Sequence, residues 1–398
     1  MINPSVPGWI DKFFTEQHES QHSFPQNEED FYIRTRNTGF IFGHIVSFDN
    51  TLSFENEDRL PQEITKIGML NTLFQMYRLV KQDNDKINFV NQAVAFYNTM
   101  IPKGFNPLKK VMESSSVSSK LEKIIHDRVQ TNEDIFSKNF SHVITNALLF
   151  IDVLAFKQYL EKGNVPEKYS TIIEDIVIST VSLSLKSKTG FSPHDDLLAK
   201  LFESSVRYNK FGNNKITTID DLDLSYLSNT LEKYYVIDLA GISLWSDEKV
   251  ENEERYFLFK LGEILQIEDK HVLESIHFIN TFILKYKSEI PYFNFSNPVK
   301  HFYDQTTESV AVLISRNKSR LLKEISESKE LMQLLAKSTR KDLDKEEKKK
   351  IKKQLLDICK TIPSLTIFLL PGGGLLLPIL IKFIPTMLPS SFNENIDN

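Results

Sequence analysis

Residues 61–97, PQEITKIGMLNTLFQMYRLVKQDNDKINFVNQAVAFY, decide the fold class. Ile64, Ile67, Leu70, Leu73, Phe74 and Tyr77 recur at steps of three and four, and after the polar turn QDNDK the pattern resumes with Ile87, Val90, Val94, Phe96 and Tyr97. A 3.6-residue repeat gathers these side chains on one face, so the stretch predicts two antiparallel helices. Amphipathic segments of the same kind are read at 117–130, 141–161 and 167–186, divided by turns such as Lys162-Gly163-Asn164-Val165-Pro166. With only 13 glycines in 398 residues, the expectation is an all-α protein.

Composition sets the outer bounds. The chain is 41% hydrophobic and 25% charged, which is ordinary for a globular protein and excludes a largely disordered one. A net charge of −5 gives no global argument for nucleic-acid binding, and no interleaving of aromatic and basic residues points to a sequence-specific nucleic-acid partner. Cys359 is the lone cysteine, so no internal disulfide can form, which fits a reducing compartment. The opening MINPSVPGWIDKFFTEQ lacks the basic and apolar regions of a signal peptide, which places the body in the cytoplasm. Trp9, Ile10, Phe13 and Phe14 share one face of a short helix that could touch a membrane surface, but its polar face lacks the Lys and Arg of such helices, so packing against the body is favoured. Residues 31–48 show no clean period and read as loop or short helix.

The domain reading is 1–60 as an N-terminal irregular or short helical region, 61–205 as a helical domain, 206–295 as a second one, 296–337 as a long connecting helix, and 338–398 as a basic helix with a hydrophobic segment. No Walker A loop, dinucleotide fingerprint, HExxH motif or cysteine pair occurs, and the nine histidines are scattered, so no enzyme and no catalytic residue is expected. Two stretches, 186–204 and 246–266, share a polar turn, acidic residues and then a leucine- and phenylalanine-rich face. The second, with Asp247, Val250 and Glu254 after Ile237-Asp238-Leu239-Ala240, resembles the small helical domain of TerB-like tellurite-resistance proteins, although Glu248 stands where that family has glycine. The resemblance implies a divalent-cation site from Asp247, Glu251 and Glu254, with Asp238 as a neighbouring acid, since hard cations take several oxygen ligands. Acidic residues in a first helical turn are equally accounted for by the helix dipole. No other cofactor is expected.

The C-terminal region reads differently. Residues 299–337 carry a drifting apolar stripe and predict one long helix. Asp344 with Glu347 is a capping pair that opens another, with Ile351, Leu355, Leu356 and Ile358 on its apolar face. Residues 337–353 hold nine basic and four acidic side chains, and Lys348, Lys349, Lys350, Lys352 and Lys353 form a positive flank suited to a cytoplasmic membrane face. From Thr361 to Ile381 there is no ionisable side chain for 21 residues, roughly 30 Å as helix and enough to span a bilayer. Pro363, Pro371, Gly372, Gly373, Gly374 and Pro378 interrupt that run, and Lys382, Pro385 and Pro389 close it, so it is no straight helix. A kinked span and a re-entrant hairpin both remain open, with the buried C-terminal hairpin of a soluble protein as the alternative. Lys382, as an intramembrane lysine, is a functional candidate, and its place near the end of the run favours snorkelling to the headgroups.

The basic helix, the turn Thr361-Ile362-Pro363, the apolar run, Leu377-Pro378 and the closing KFIPTMLPSSF of 382–392 together resemble the membrane segment of the leucine-zipper, EF-hand-containing transmembrane (Letm-like) family. The resemblance implies a membrane-associated protein of the inner (cytoplasmic) membrane, with membrane lipid, ribosomes, other membrane proteins or a homo-oligomer as partners. It also implies a link to cation/proton homeostasis, and its short bacterial branch is biofilm-associated. The chain departs from the pattern in two ways. No EF-hand calcium loop is present, and the ribosome-binding domain that follows the segment in the family is expected to be missing, since only residues 393–398 follow Phe392. The alternative reading is a soluble TerB-like scaffold that binds metal or protein.

Overall fold

The computed structural model describes residues 2–16, 25–48, 59–100, 116–129, 146–188, 218–245, 252–290, 314–340, 343–362 and 365. Among them the regular structure is helical throughout, with no strand. In chain order the helices are α1 (Trp9–Glu16), α2 (Glu28–Asn37), α3 (Pro61–Lys81), α4 (Lys86–Met100), α5 (Val117–Val129), α6 (Phe150–Lys162), α7 (Tyr169–Lys186), α8 (Thr230–Leu244), α9 (Asn252–Leu265), α10 (Asp269–Tyr286), α11 (Lys318–Glu327), α12 (Lys329–Arg340) and α13 (Lys345–Thr361). They fall into two compact units. The first is Met1–Phe54, Pro61–Thr131 and Ser141–Ser296, and the second is Glu55–Leu60, Asn132–Phe140 and Asn297–Asn398.

Two helices organise the first unit. α3 touches α2, α4, α5 and α6, and α8 touches α2, α7, α9 and α10. The sequence pattern gave α3 a single apolar stripe, but the helix is buried on nearly every side from Thr65 to Arg78. Its polar side chains are therefore buried as well and need partners. Glu63 accepts from the Ser5 hydroxyl at 2.6 Å, and Lys66 Nζ lies 2.9 Å from His126 Nδ1. In α4 the inward face is Phe89, Val90, Ala93, Val94, Phe96 and Tyr97, whereas Ile87 in the first turn points outward and is 74% exposed. Phe74 and Tyr77 of α3 meet Phe89 of α4, with ring centroids 5.1 and 5.7 Å away.

The N-terminal region packs on this core. Trp9, Ile10, Phe13 and Phe14 are all buried. Glu122 of α5 accepts from the backbone N–H of Gly8 at 2.9 Å and of Ile10 at 3.1 Å, so a carboxylate from a distant helix satisfies the donors at the start of α1. Residues 31–48, without a readable period, form most of α2 and a 3-10 turn at Phe40–Phe42. Gly39, at φ +80, makes that turn feasible, because a Cβ there would lie 2.0 Å from the His44 carbonyl oxygen.

The expected division at 205/206 does not separate units. α7 and α8 share a core, and the Tyr169 hydroxyl of α7 donates to Glu232 of α8 at 2.6 Å. Glu232 is also the reciprocal partner of Asn229 in the capping box that starts α8. Gly241 permits the approach of α10, since a Cβ there would meet Ile279 at 2.6 Å.

The second unit corrects the long connecting helix. Within the described residues the 296–337 segment is broken between α11 and α12 at Ser328, whose φ and ψ of −107° and 95° are extended. The Ser328 hydroxyl accepts from the Leu331 N–H at 3.3 Å and donates to Gln354 Oε1 at 2.8 Å. This serine is an N-cap, and the apolar stripe drifts because it belongs to two helices. Leu321, Ile325, Leu331 and Leu335 pack with Ile351, Leu355, Ile358 and Cys359 of α13 in a core of their own.

Candidate functional site

The basic helix α13 is the best-defined of the sequence-predicted sites. Asp344 accepts from the Glu347 N–H at 2.8 Å and Glu347 accepts from the Asp344 N–H at 3.1 Å, the reciprocal capping box read from the sequence. The carboxylates of Glu346 and Glu347 complement the positive end of the helix dipole. Ile351, Leu355, Ile358 and Cys359 turn inward, and Leu356 is half-buried. Cys359 is fully buried in this core, and that burial pushes its thiol up to about 12. Of the positive flank, Lys348, Lys349, Lys350, Lys352 and Lys353 are all exposed. Lys350 is neutralised by Glu330 of α12 at 2.9 Å, while Gln354 donates to the other oxygen of Glu330 at 2.8 Å. Lys337 pairs with Glu347, and Lys360 pairs with Asp357 at 2.6 Å.

Of the membrane-segment residues, Pro363, Pro371, Gly372, Gly373, Gly374, Pro378, Lys382, Pro385 and Pro389 lie outside the described residues. Among the described residues no helix is long and apolar enough to cross a membrane. The metal-site residues Asp247 and Glu251 also lie outside them, as does nearly all of 186–204. Glu254, in the first turn of α9, is buried, and no three His, Cys, Asp or Glu side chains among the described residues are placed to hold a metal ion.

Asp238, read as an auxiliary metal ligand, is engaged elsewhere. Its carboxylate accepts from the Tyr32 hydroxyl at 2.8 Å and from the Ser275 hydroxyl, and Arg36 Nη1 lies 3.7 Å away. Burial raises the Asp238 pKa, and Arg36 with the two hydroxyl donors opposes the rise. Arg36 also stacks over the Phe278 ring at 4.7 Å. Above this cluster, His271 stands 3.8 Å from Glu29 and 3.7 Å from Glu274, with the Tyr234 ring 5.0 Å away. The recess between α2, α8 and α10 has room for about one water molecule. Tyr32, Arg36 and Ser275 carry no motif and lie far from Asp238 in the chain, so sequence reasoning had no signal for them.

A family model described as LETM1-like, RBD matches residues 343–398. No curated protein and no solved structure gives a match. The match corrects the expectation that the family's ribosome-binding domain is missing. That domain's name falls on 343–398 themselves, so α13 and the apolar run both lie inside it.

Proposed function

With residues 343–398 identified as Letm-like, we propose that this chain is a Letm-related, non-enzymatic protein whose helical body is tethered to the inner (cytoplasmic) membrane by its C-terminal unit. The observation that carries the reading is the position of the family match. It begins at the cap of a folded basic helix and continues through the 21-residue apolar run that starts at the end of that helix. Positive charge directly ahead of an apolar segment is retained on the cytoplasmic side, and the proline- and glycine-rich middle of the run favours half-insertion over a straight span. The family name supports a ribosomal partner for the same unit, and a role in cation/proton homeostasis or in biofilm-associated envelope assembly extends the reading.

Fractionation of cells expressing the full chain tests it. The protein should enter the membrane fraction and resist salt and carbonate washes, and recovery in the supernatant without detergent would sink the proposal. Cosedimentation with ribosomes from detergent-solubilised membranes tests the ribosomal extension separately.

A further inference from the structure

We infer that one face of α13 is a preformed docking surface for anionic phospholipid headgroups, lying in the membrane plane, a proposal that rests on the Letm-like membrane reading above. The chain as a whole carries −5, yet residues 314–362 hold fifteen Lys and Arg against eight Asp and Glu. Positive charge is concentrated in the second unit. Around α13 some lysines are paired, and others, Lys353 among them, are exposed with no hydrogen bond or ion pair among the described residues. Lys337, Lys350 and Lys360 are spent on Glu347, Glu330 and Asp357. Lys345, Lys348, Lys349 and Lys352 are exposed, and among the described residues none of the four makes a hydrogen bond or an ion pair.

Their spacing of three, four and seven puts these four ammonium groups on one side of the helix. Seven residues cover roughly 10 Å of helix axis, close to one Debye length at physiological salt, so the charges act together on a surface. Leu356, four residues after Lys352 and half-buried, continues the same line. The adjoining face of the helix is fixed in the core by Ile351, Leu355 and Ile358. The stripe is thus held on a rigid support, and its ordering entropy is already spent on folding.

A phosphate backbone would satisfy the same charges. Lipid is favoured because the stripe is followed by a half-exposed leucine and then by the apolar run, so charge and apolar surface succeed one another along the chain as they do from headgroup to acyl region.

The test is flotation of the full chain with phosphatidylcholine vesicles, with and without phosphatidylglycerol. The wild type should prefer the anionic vesicles, with a preference that weakens as salt rises. The variant K345Q/K348Q/K349Q/K352Q should bind them up to about a thousandfold more weakly, falling to its level on phosphatidylcholine. K337Q/K350Q/K360Q, which removes paired lysines, should keep most of the preference, and far-ultraviolet circular dichroism should show both variants as helical as the wild type. Equal binding to both kinds of vesicle, or an unchanged four-lysine variant, would overturn the docking surface and leave the membrane reading standing. Binding to neither would overturn the membrane reading and this inference with it. A four-lysine variant that loses only its binding to polyuridylate would reassign the stripe to a nucleic-acid backbone.

Discussion

Tyr32 on α2 donates its hydroxyl to Asp238 on α8 across 2.8 Å, joining two positions 206 residues apart at the centre of the first unit. Replacing the hydroxyl by hydrogen in Tyr32→Phe leaves one oxygen of a buried carboxylate without its donor. Leaving a buried acceptor without its donor costs about 1–3 kcal/mol, and urea unfolding should show a loss of that size. A loss under about 0.5 kcal/mol would mean that water replaces the tyrosine.

The same carboxylate predicts a pH dependence. Burial holds the Asp238 pKa above its ordinary 3.8, so between that value and the folded one the native state keeps a proton that the unfolded chain has released. Stability is therefore lost as pH rises through that window. Wild type should weaken relative to Asp238→Asn as urea unfolding is followed upward from about pH 4. A difference that does not change with pH would contradict the assignment.

Lys66 behaves in the opposite chemical sense. Burial lowers its pKa from 10.5 to about 8, so below 8 the fold carries the full cost of charging it, and the cost disappears as pH rises to 10.5. Wild type should gain on Lys66→Met across that interval. At neutral pH the methionine variant should be more stable by about 1–3 kcal/mol after the lost contact to His126 is set against the relieved burial of charge. Equal slopes for the two proteins above pH 8 would refute this.

Cys359 lies in the core of the second unit with its thiol pushed up to about 12. It should resist maleimide in the native protein and react on unfolding. A cysteine placed at Asn395 can then be labelled against the native background. For a half-inserted tail it should be shielded in intact spheroplasts and react after lysis, and labelling before lysis would show that the tail crosses.

Ser328→Ala removes the cap between α11 and α12 and the bond to Gln354, and should cost about 0.5–2 kcal/mol in the second unit. Hydrogen exchange should place the change in α12 and α13. Unchanged protection there would argue that the break is set by packing alone.

Periodicity made the helical class legible, because a helix that buries one face writes that face into the spacing of its apolar residues. The Asp344–Glu347 cap, the positive flank and the Letm-like character of the C-terminal region were legible for the same reason, since each depends on residues close in the chain. The break at Ser328 was hidden because a serine in an amphipathic stretch looks the same inside a helix as at its cap. The burial of α3 on nearly every side was hidden as well, since its polar residues find partners only in other helices.

The sequence by itself determined which segments are helical, where positive charge gathers and which family the last 56 residues match. Only the tertiary structure decided which lysines are neutralised, that Asp238 faces Tyr32, Arg36 and Ser275, and that Pro61–Thr131 and Ser141–Ser296 belong to one unit. Local pattern fixes what a short segment can become. The partner of a buried charge is chosen by packing between helices hundreds of residues apart, and no spacing rule reaches that far.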